Sequence, residues 1–172
     1  MDKLWAPWRI DYIQSSGKRQ SGCLFCESIK SKKGNYVIIK NKFSFAMLNK
    51  YPYNNGHILI SPNRHTADIN GLNDKETLNL FKTLKQILRL LKKVLKPQGF
   101  NVGINIGKCG GAGIPGHLHI HVVPRWQADT NFMPVVSNTK VISQSLSELY
   151  KQLRKNMNPV RKESSSRANK VN

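Results

Sequence analysis

Acidic residues are what this chain has least of. Nine Asp and Glu stand against 28 Lys and Arg among 172 residues, a formal net charge of +19. That imbalance argues against cationic partners and for polyanionic ones: nucleotides, nucleic acid or acidic surfaces. Seven of the basic residues, with one acid, lie between Lys151 and Asn172, yet the body stays basic without them. Long apolar runs are also missing. No stretch approaches the ~18 residues that span a bilayer, and the opening MDKLWAPWRI has an early Asp and no apolar leader core. The expectation is no membrane contact and a cytoplasmic location. Cysteines number three, odd and too few for a disulfide framework in a chain of this size. No internal repeat is visible, and the length suits one domain with its own core.

What is present falls into recognisable pieces. Residues 1–22, with Trp5 and Trp8 around Pro7, read as an N-terminal arm packed on the body. YVIIK (36–40) and FSFAMLN (43–49) are rich in β-branched and aromatic residues and read as a hairpin. HILI (57–60) reads as a buried strand ending at Pro62. The strongest helix pattern runs from about Asp74 to Lys96. Asn73 and Glu76 stand in capping-box positions, and Leu80, Phe81, Leu84, Ile87, Leu88, Leu91 and Leu95 mark one face. FNVGINIG (100–107) reads as a strand, KCGGAGIPG (108–116) as a glycine-rich loop, and HLHIHVV (117–123) as a strand closed by Pro124. A last helix is expected over about Leu146–Arg154, with Ser145 and Glu148 as its capping box. The result is an α+β domain over 1–155, a mainly antiparallel sheet with helices on one side. Residues 156–172 are polar, basic and poor in apolar side chains, the composition of a disordered tail.

Two clusters carry chemistry. Cys23 and Cys26 form C-x-x-C, a metal or redox pair in a reducing compartment. Cys109 stands alone as a loop thiol. The chain has five histidines, and three of them, His117, His119 and His121, alternate along one strand. Alternation puts them on one face, with Leu118, Ile120 and Val122 on the other. Three readings are open: an exposed polar face, a shared metal, or an anion site with a nucleophile in it. The glycine loop just before favours the last, since backbone N–H groups cradle phosphate oxygens and histidine can form a covalent intermediate at phosphorus.

GHLHIHVVPRW resembles the signature of the histidine triad family of nucleotide hydrolases and transferases. GCLFC (22–26), LNKYPYNNGHILISPNRH (48–65) and the stretch from Phe100 to Ile142 extend the likeness over roughly residues 4–150. The PRW and DTNFM parts resemble the branch with bacterial diadenosine tetraphosphate phosphorylases and hydrolases. The resemblance implies a histidine-triad fold with His119 as nucleophile, attacking the α-phosphorus of a dinucleoside polyphosphate, and phosphate or water releasing the nucleotide. It implies that His121 binds the phosphate, that His57 orients the nucleophile, that Asn105 lies beside the phosphates, that Asn49 binds ribose, and that Met47 and Leu48 flank the base. Ile114 stands where the family often has Ser or Thr, so the amides of Gly111, Ala112 and Gly113 are expected to hold more of the phosphate. Cys23, Cys26, His65 and His117 match a structural zinc set. The likeness also implies a homodimer. An adenosine phosphoramidase of the same family is the alternative enzyme, and a zinc-stapled module binding nucleotide or RNA without catalysis is the alternative of another class. The basic tail adds a weak nucleic-acid contact to either.

Overall fold

The computed structural model describes residues 22–31, 35–127, 129–130 and 141–157. The expectations for the arm up to residue 21 and for the tail beyond 157 lie outside them. Five antiparallel strands form one sheet: β1 (Val37–Lys40), β2 (Ser44–Leu48), β3 (Ile58–Pro62), β4 (Gly99–Ile104) and β5 (Ile120–Arg125), in the order β1-β2-β3-β5-β4. Among the described residues three helices accompany it: α1 (Leu24–Lys30), α2 (Asp74–Leu95) and α3 (Leu146–Met157). Among the described residues no helix is long and apolar enough to cross a membrane.

The expected hairpin is β1–β2, paired Val37 to Met47 and Lys40 to Phe45. Helix α2 begins where the capping box predicts. Asn73 accepts from the Glu76 amide, and the Glu76 carboxylate accepts from the Asn73 amide, so two otherwise orphaned donors are satisfied at once. Lys96 ends the helix in the left-handed region, just before Pro97. Its buried stripe is Leu80, Ile87, Leu90 and Leu91, packed on Ile38, Leu48, Ile58, Ile60 and Val122 of the sheet and on Leu149 and Leu153 of α3. Phe81, expected on the buried face, is 57% exposed. It stands at the margin of the stripe, where one small sheet has no surface left to offer. Helix α3 runs three residues beyond the expected end, because nothing breaks it before Asn158, whose following Pro159 disfavours helical backbone.

Two other differences bear on the site. The ladder of β5 starts at Ile120, not His117, and continues through Pro124. Pairing with β3 ends at Val122, while pairing with β4 runs on to Arg125. Arg125 faces β4, since its carbonyl accepts from Gln98. Pro124 therefore faces beyond the end of β3, where a missing N–H breaks no ladder bond, and its carbonyl accepts from Asn54 instead. The helices are also not confined to one side. The unexpected α1 covers the opposite face, where Phe25 packs with Phe45, Met47 and Leu59.

Candidate active site and metal centre

Register decides which side chains meet. His121 of β5 pairs with Leu59 of β3 on one side and Gly103 of β4 on the other, and Leu59 pairs with Met47 of β2. That row lies on the α1 side of the sheet. His57, two residues before Leu59, lies on the same side and comes to His121 across the strands.

Hydrogen bonds fix the proton on each ring. The backbone N–H of Tyr53 donates to Nδ1 of His57 at 3.1 Å, and the Asn49 amide also approaches that atom at 3.2 Å. Nδ1 of His57 is thus an acceptor, and its Nε2 carries the proton. That Nε2 lies 3.0 Å from Nδ1 of His121 and donates to it. The His121 proton is then forced onto Nε2, a buried atom with no partner among the described residues. A buried, unsatisfied N–H is costly, so it marks where an acceptor from outside belongs. His119 is set the other way. Its Nδ1 donates to the His117 carbonyl at 2.8 Å, leaving a bare lone pair on Nε2.

Burial keeps this cluster neutral. Desolvation first, and then the neighbouring His121 and His119, bring His57 down to about 3. Desolvation followed by His119 brings His121 down to about 4. His119 is also lowered by burial, partly offset by its bond to the His117 carbonyl. Rings with an uncharged Nε2 can act as a nucleophile, at His119, and as an N–H donor, at His121.

His117 belongs to the second cluster. Its Nε2 donates to the Pro62 carbonyl at 3.1 Å, so Nδ1 is bare and faces Cys23 Sγ at 3.2 Å and Cys26 Sγ at 3.7 Å. Cys26 Sγ lies 3.4 Å from Nδ1 of His65. All four donor atoms fall within 4.8 Å of one another. Tetrahedral zinc with Zn–S of ~2.3 Å and Zn–N of ~2.0 Å spaces its ligands ~3.5 Å apart, so the set fits. Burial first, and then the adjoining Cys23, push the Cys26 thiol up, an opposition that a cation between the sulfurs removes. Cys23 is the N-cap of α1 and Cys26 lies in its first turn. The motif therefore ties α1, the end of β3 and the approach to β5 at one point.

The remaining expected residues divide. Asn105 is beside the glycine loop and donates to the Gly111 carbonyl at 3.3 Å. The Gly111 and Ala112 amides do not face a phosphate here; they close the loop's own turns onto Lys108 and Gly107. Asn49 spends its amide on His57 and its carbonyl oxygen on the Tyr51 N–H, which makes it a brace for His57. Leu48 points into the helix-side core, and Met47 is buried under Phe25 and Phe45. Neither presents an open wall to a base. Tyr53 and Phe25 were missed as site residues. The Phe25 ring lies 4.9 Å from that of His119.

The HIT domain model matches residues 30–128. The chain belongs to the HIT family. A Mycobacterium tuberculosis relative named AP-4-A phosphorylase is 35% identical over 155 residues, 85% of this chain and 79% of that one. A Schizosaccharomyces pombe bis(5'-nucleosyl)-tetraphosphatase [asymmetrical] is 32% identical over 56% of this chain and 52% of its own. Among solved structures, a hypothetical histidine triad nucleotide-binding protein of Sulfolobus tokodaii superposes with a TM-score of 0.65 at 26% identity, covering 78% of this chain and 91% of that one. A Zn-bound histidine triad family protein of Mycobacterium smegmatis shares the fold, with a TM-score of 0.65 at 24% identity over 80% and 94%. This HIT domain thus has relatives named as enzymes of nucleotide chemistry, and the stretch with His117, His119 and His121 lies inside the matched span.

Proposed function

We propose that the chain cleaves dinucleoside polyphosphates, diadenosine tetraphosphate foremost, through a nucleotidyl-histidine intermediate on His119. The observation that carries this is the pair of opposite tautomers. His119 offers a bare Nε2 while His121 offers an unpartnered Nε2–H, a nucleophile beside a donor for the oxygens around phosphorus. In the first step Nε2 of His119 bonds to the α-phosphorus. The bridging P–O bond breaks, and its electron pair leaves with the departing polyphosphate, which takes up a proton. Positive charge develops on the His119 ring, and the His117 carbonyl, already bonded to Nδ1–H, stabilises it. His57 holds His121 in the donating tautomer. In the second step an oxygen of phosphate or water attacks phosphorus and the N–P bond breaks, restoring the lone pair. A binding module has no use for a bare imidazole nitrogen at its phosphate site.

The name of the mycobacterial relative favours phosphate as acceptor. Incubation with diadenosine tetraphosphate, with and without inorganic phosphate, tests this. ADP plus ATP marks phosphorolysis, AMP plus ATP marks hydrolysis, and an absence of turnover contradicts the reading. Cys23, Cys26, His65 and His117 hold a structural zinc ion that orients the strand leading to the triad, and no chemical step passes through it. Two copies pair along the open edge strand β4. Val102 is 45% exposed there and Phe81 57% exposed on α2, apolar surface that a partner would cover. A monomer mass by light scattering at micromolar concentration would refute the pairing.

A further inference from the structure

Helix α2 carries a charge pattern that neither the fold nor the proposed reaction uses. Lys82, Lys85, Arg89 and Lys92 recur at intervals of three and four residues, so they form one stripe along the helix. Lys93 and Lys96 stand beside it, and all six are exposed. No Asp or Glu occurs from Thr77 to Lys96. Among the described residues the ion pairs are Arg64–Glu76, Arg125–Asp129 and Lys151–Glu148, and none reaches these cations. The spacing is unfavourable for the helix itself. Lys85 and Arg89, and Arg89 and Lys93, are like-charged i,i+4 neighbours, which repel. A face that needs only solvation relieves such repulsion with acids at the same spacing. This face keeps it, and a bound polyanion would remove it.

Place and shape narrow the polyanion. The stripe lies opposite the buried Leu80, Ile87, Leu90 and Leu91, which pack on the sheet. His121 and the rest of the triad cluster face the other side of the sheet, with α1. The stripe can therefore be covered while the histidines stay open. From Lys82 to Lys92 it is about 15 Å long, with a charge every ~4.5–6 Å along the axis. That is a straight row of cations, suited to the repeating phosphates of one nucleic-acid strand. No aromatic residue lies between Lys82 and Lys96, so bases have nothing to stack on and the contact is by charge. A helix lying in a membrane surface needs an apolar face to insert, and that of α2 is buried in the core. Helix α3 packs on the same core, so the basic sequence after Met157 sets out from this layer.

We propose that the outward face of α2 docks single-stranded RNA through its phosphates, without base preference, on the side of the sheet away from the histidines. This surface is separate from the site of the proposed reaction and does not rest on it.

The experiment titrates the full chain with a fluorescent oligoadenylate RNA between about 50 and 200 mM salt. The variant Lys85→Gln/Arg89→Gln/Lys92→Gln is expected to lower the slope of log affinity against log salt by about 2, at ~0.7 per single-strand contact. Its turnover of diadenosine tetraphosphate is expected to stay at the wild-type level. Lys30→Gln/Lys40→Gln/Lys108→Gln removes three exposed cations elsewhere and is expected to keep the wild-type slope. Equal loss in the two variants overturns the proposal, because net charge alone then explains binding. A wild-type slope in the α2 variant overturns it too, as does a wild-type chain that binds no RNA at the low-salt end. If the α2 variant loses turnover along with RNA, the stripe belongs to the pocket and the proposal fails. Binding of phosphatidylserine vesicles through these cations, with no binding of RNA, overturns it in favour of a membrane surface.

Discussion

At the scale of single residues, the site depends on which nitrogen of each imidazole holds a proton. His57 and His121 stay neutral because burial depresses them to about 3 and about 4, from an unfolded value near 6.5. The unfolded chain therefore takes up protons that the folded chain refuses, and stability falls as pH drops from about 6.5 towards 4. Urea unfolding at pH 7.5 and pH 5 should show a lower midpoint at pH 5, and His57→Gln should narrow that gap. A gap as wide in the variant as in the wild type contradicts the assignment. The triad could be read from the sequence because alternation alone places three side chains on one face. Tyr53 could not, since its place over His121 follows from how the loop between β2 and β3 closes. Gly56 shapes that closure. It has φ +77, and a Cβ there would meet Leu95 at 2.6 Å and Pro124 at 3.0 Å.

At the scale of elements, the long helix was legible from its capping box and apolar spacing, and the hairpin from its β-branched runs. Helix α1 was not. Seven residues make two turns, too few for a periodicity to show or for the helix to stand alone. It persists because Phe25 is fully buried and because Cys26 and the N-cap Cys23 face His65 and His117. The Phe81 expectation failed for a related reason: periodicity gives a face, but only the packed neighbours decide how wide it is. If the cluster holds zinc as proposed, Cys23→Ser should lower the metal content of the purified protein from about one equivalent per chain and reduce the melting temperature, because metal binding is coupled to folding. Variant protein with full metal content, or wild-type protein purified without chelator and free of metal, would count against it.

At the scale of the whole molecule, charge and chemistry separate. The +19 comes partly from the sequence beyond α3, which holds Arg161, Lys162, Arg167 and Lys170 and one acid, Glu163. Such charges act over roughly a Debye length, ~8 Å at physiological salt, and the expectation is that they draw polyanions without shaping the pocket. Truncation after Met157, where α3 ends, should leave turnover at saturating substrate unchanged and reduce RNA retention at low salt more than at high salt. Loss of turnover would place the tail in the site or the dimer contact. Composition pointed to polyanions but could not name one; the fold and the tautomers support the proposed attack at phosphorus. The most direct test is the intact mass of the full chain, mixed with diadenosine tetraphosphate and quenched in base, where a phosphoramidate survives. The account predicts an added nucleoside monophosphate located on His119, absent in His119→Ala, with turnover in that variant reduced more than about 10³-fold. Near wild-type turnover by His119→Ala, with no adduct on the wild-type protein, would contradict it.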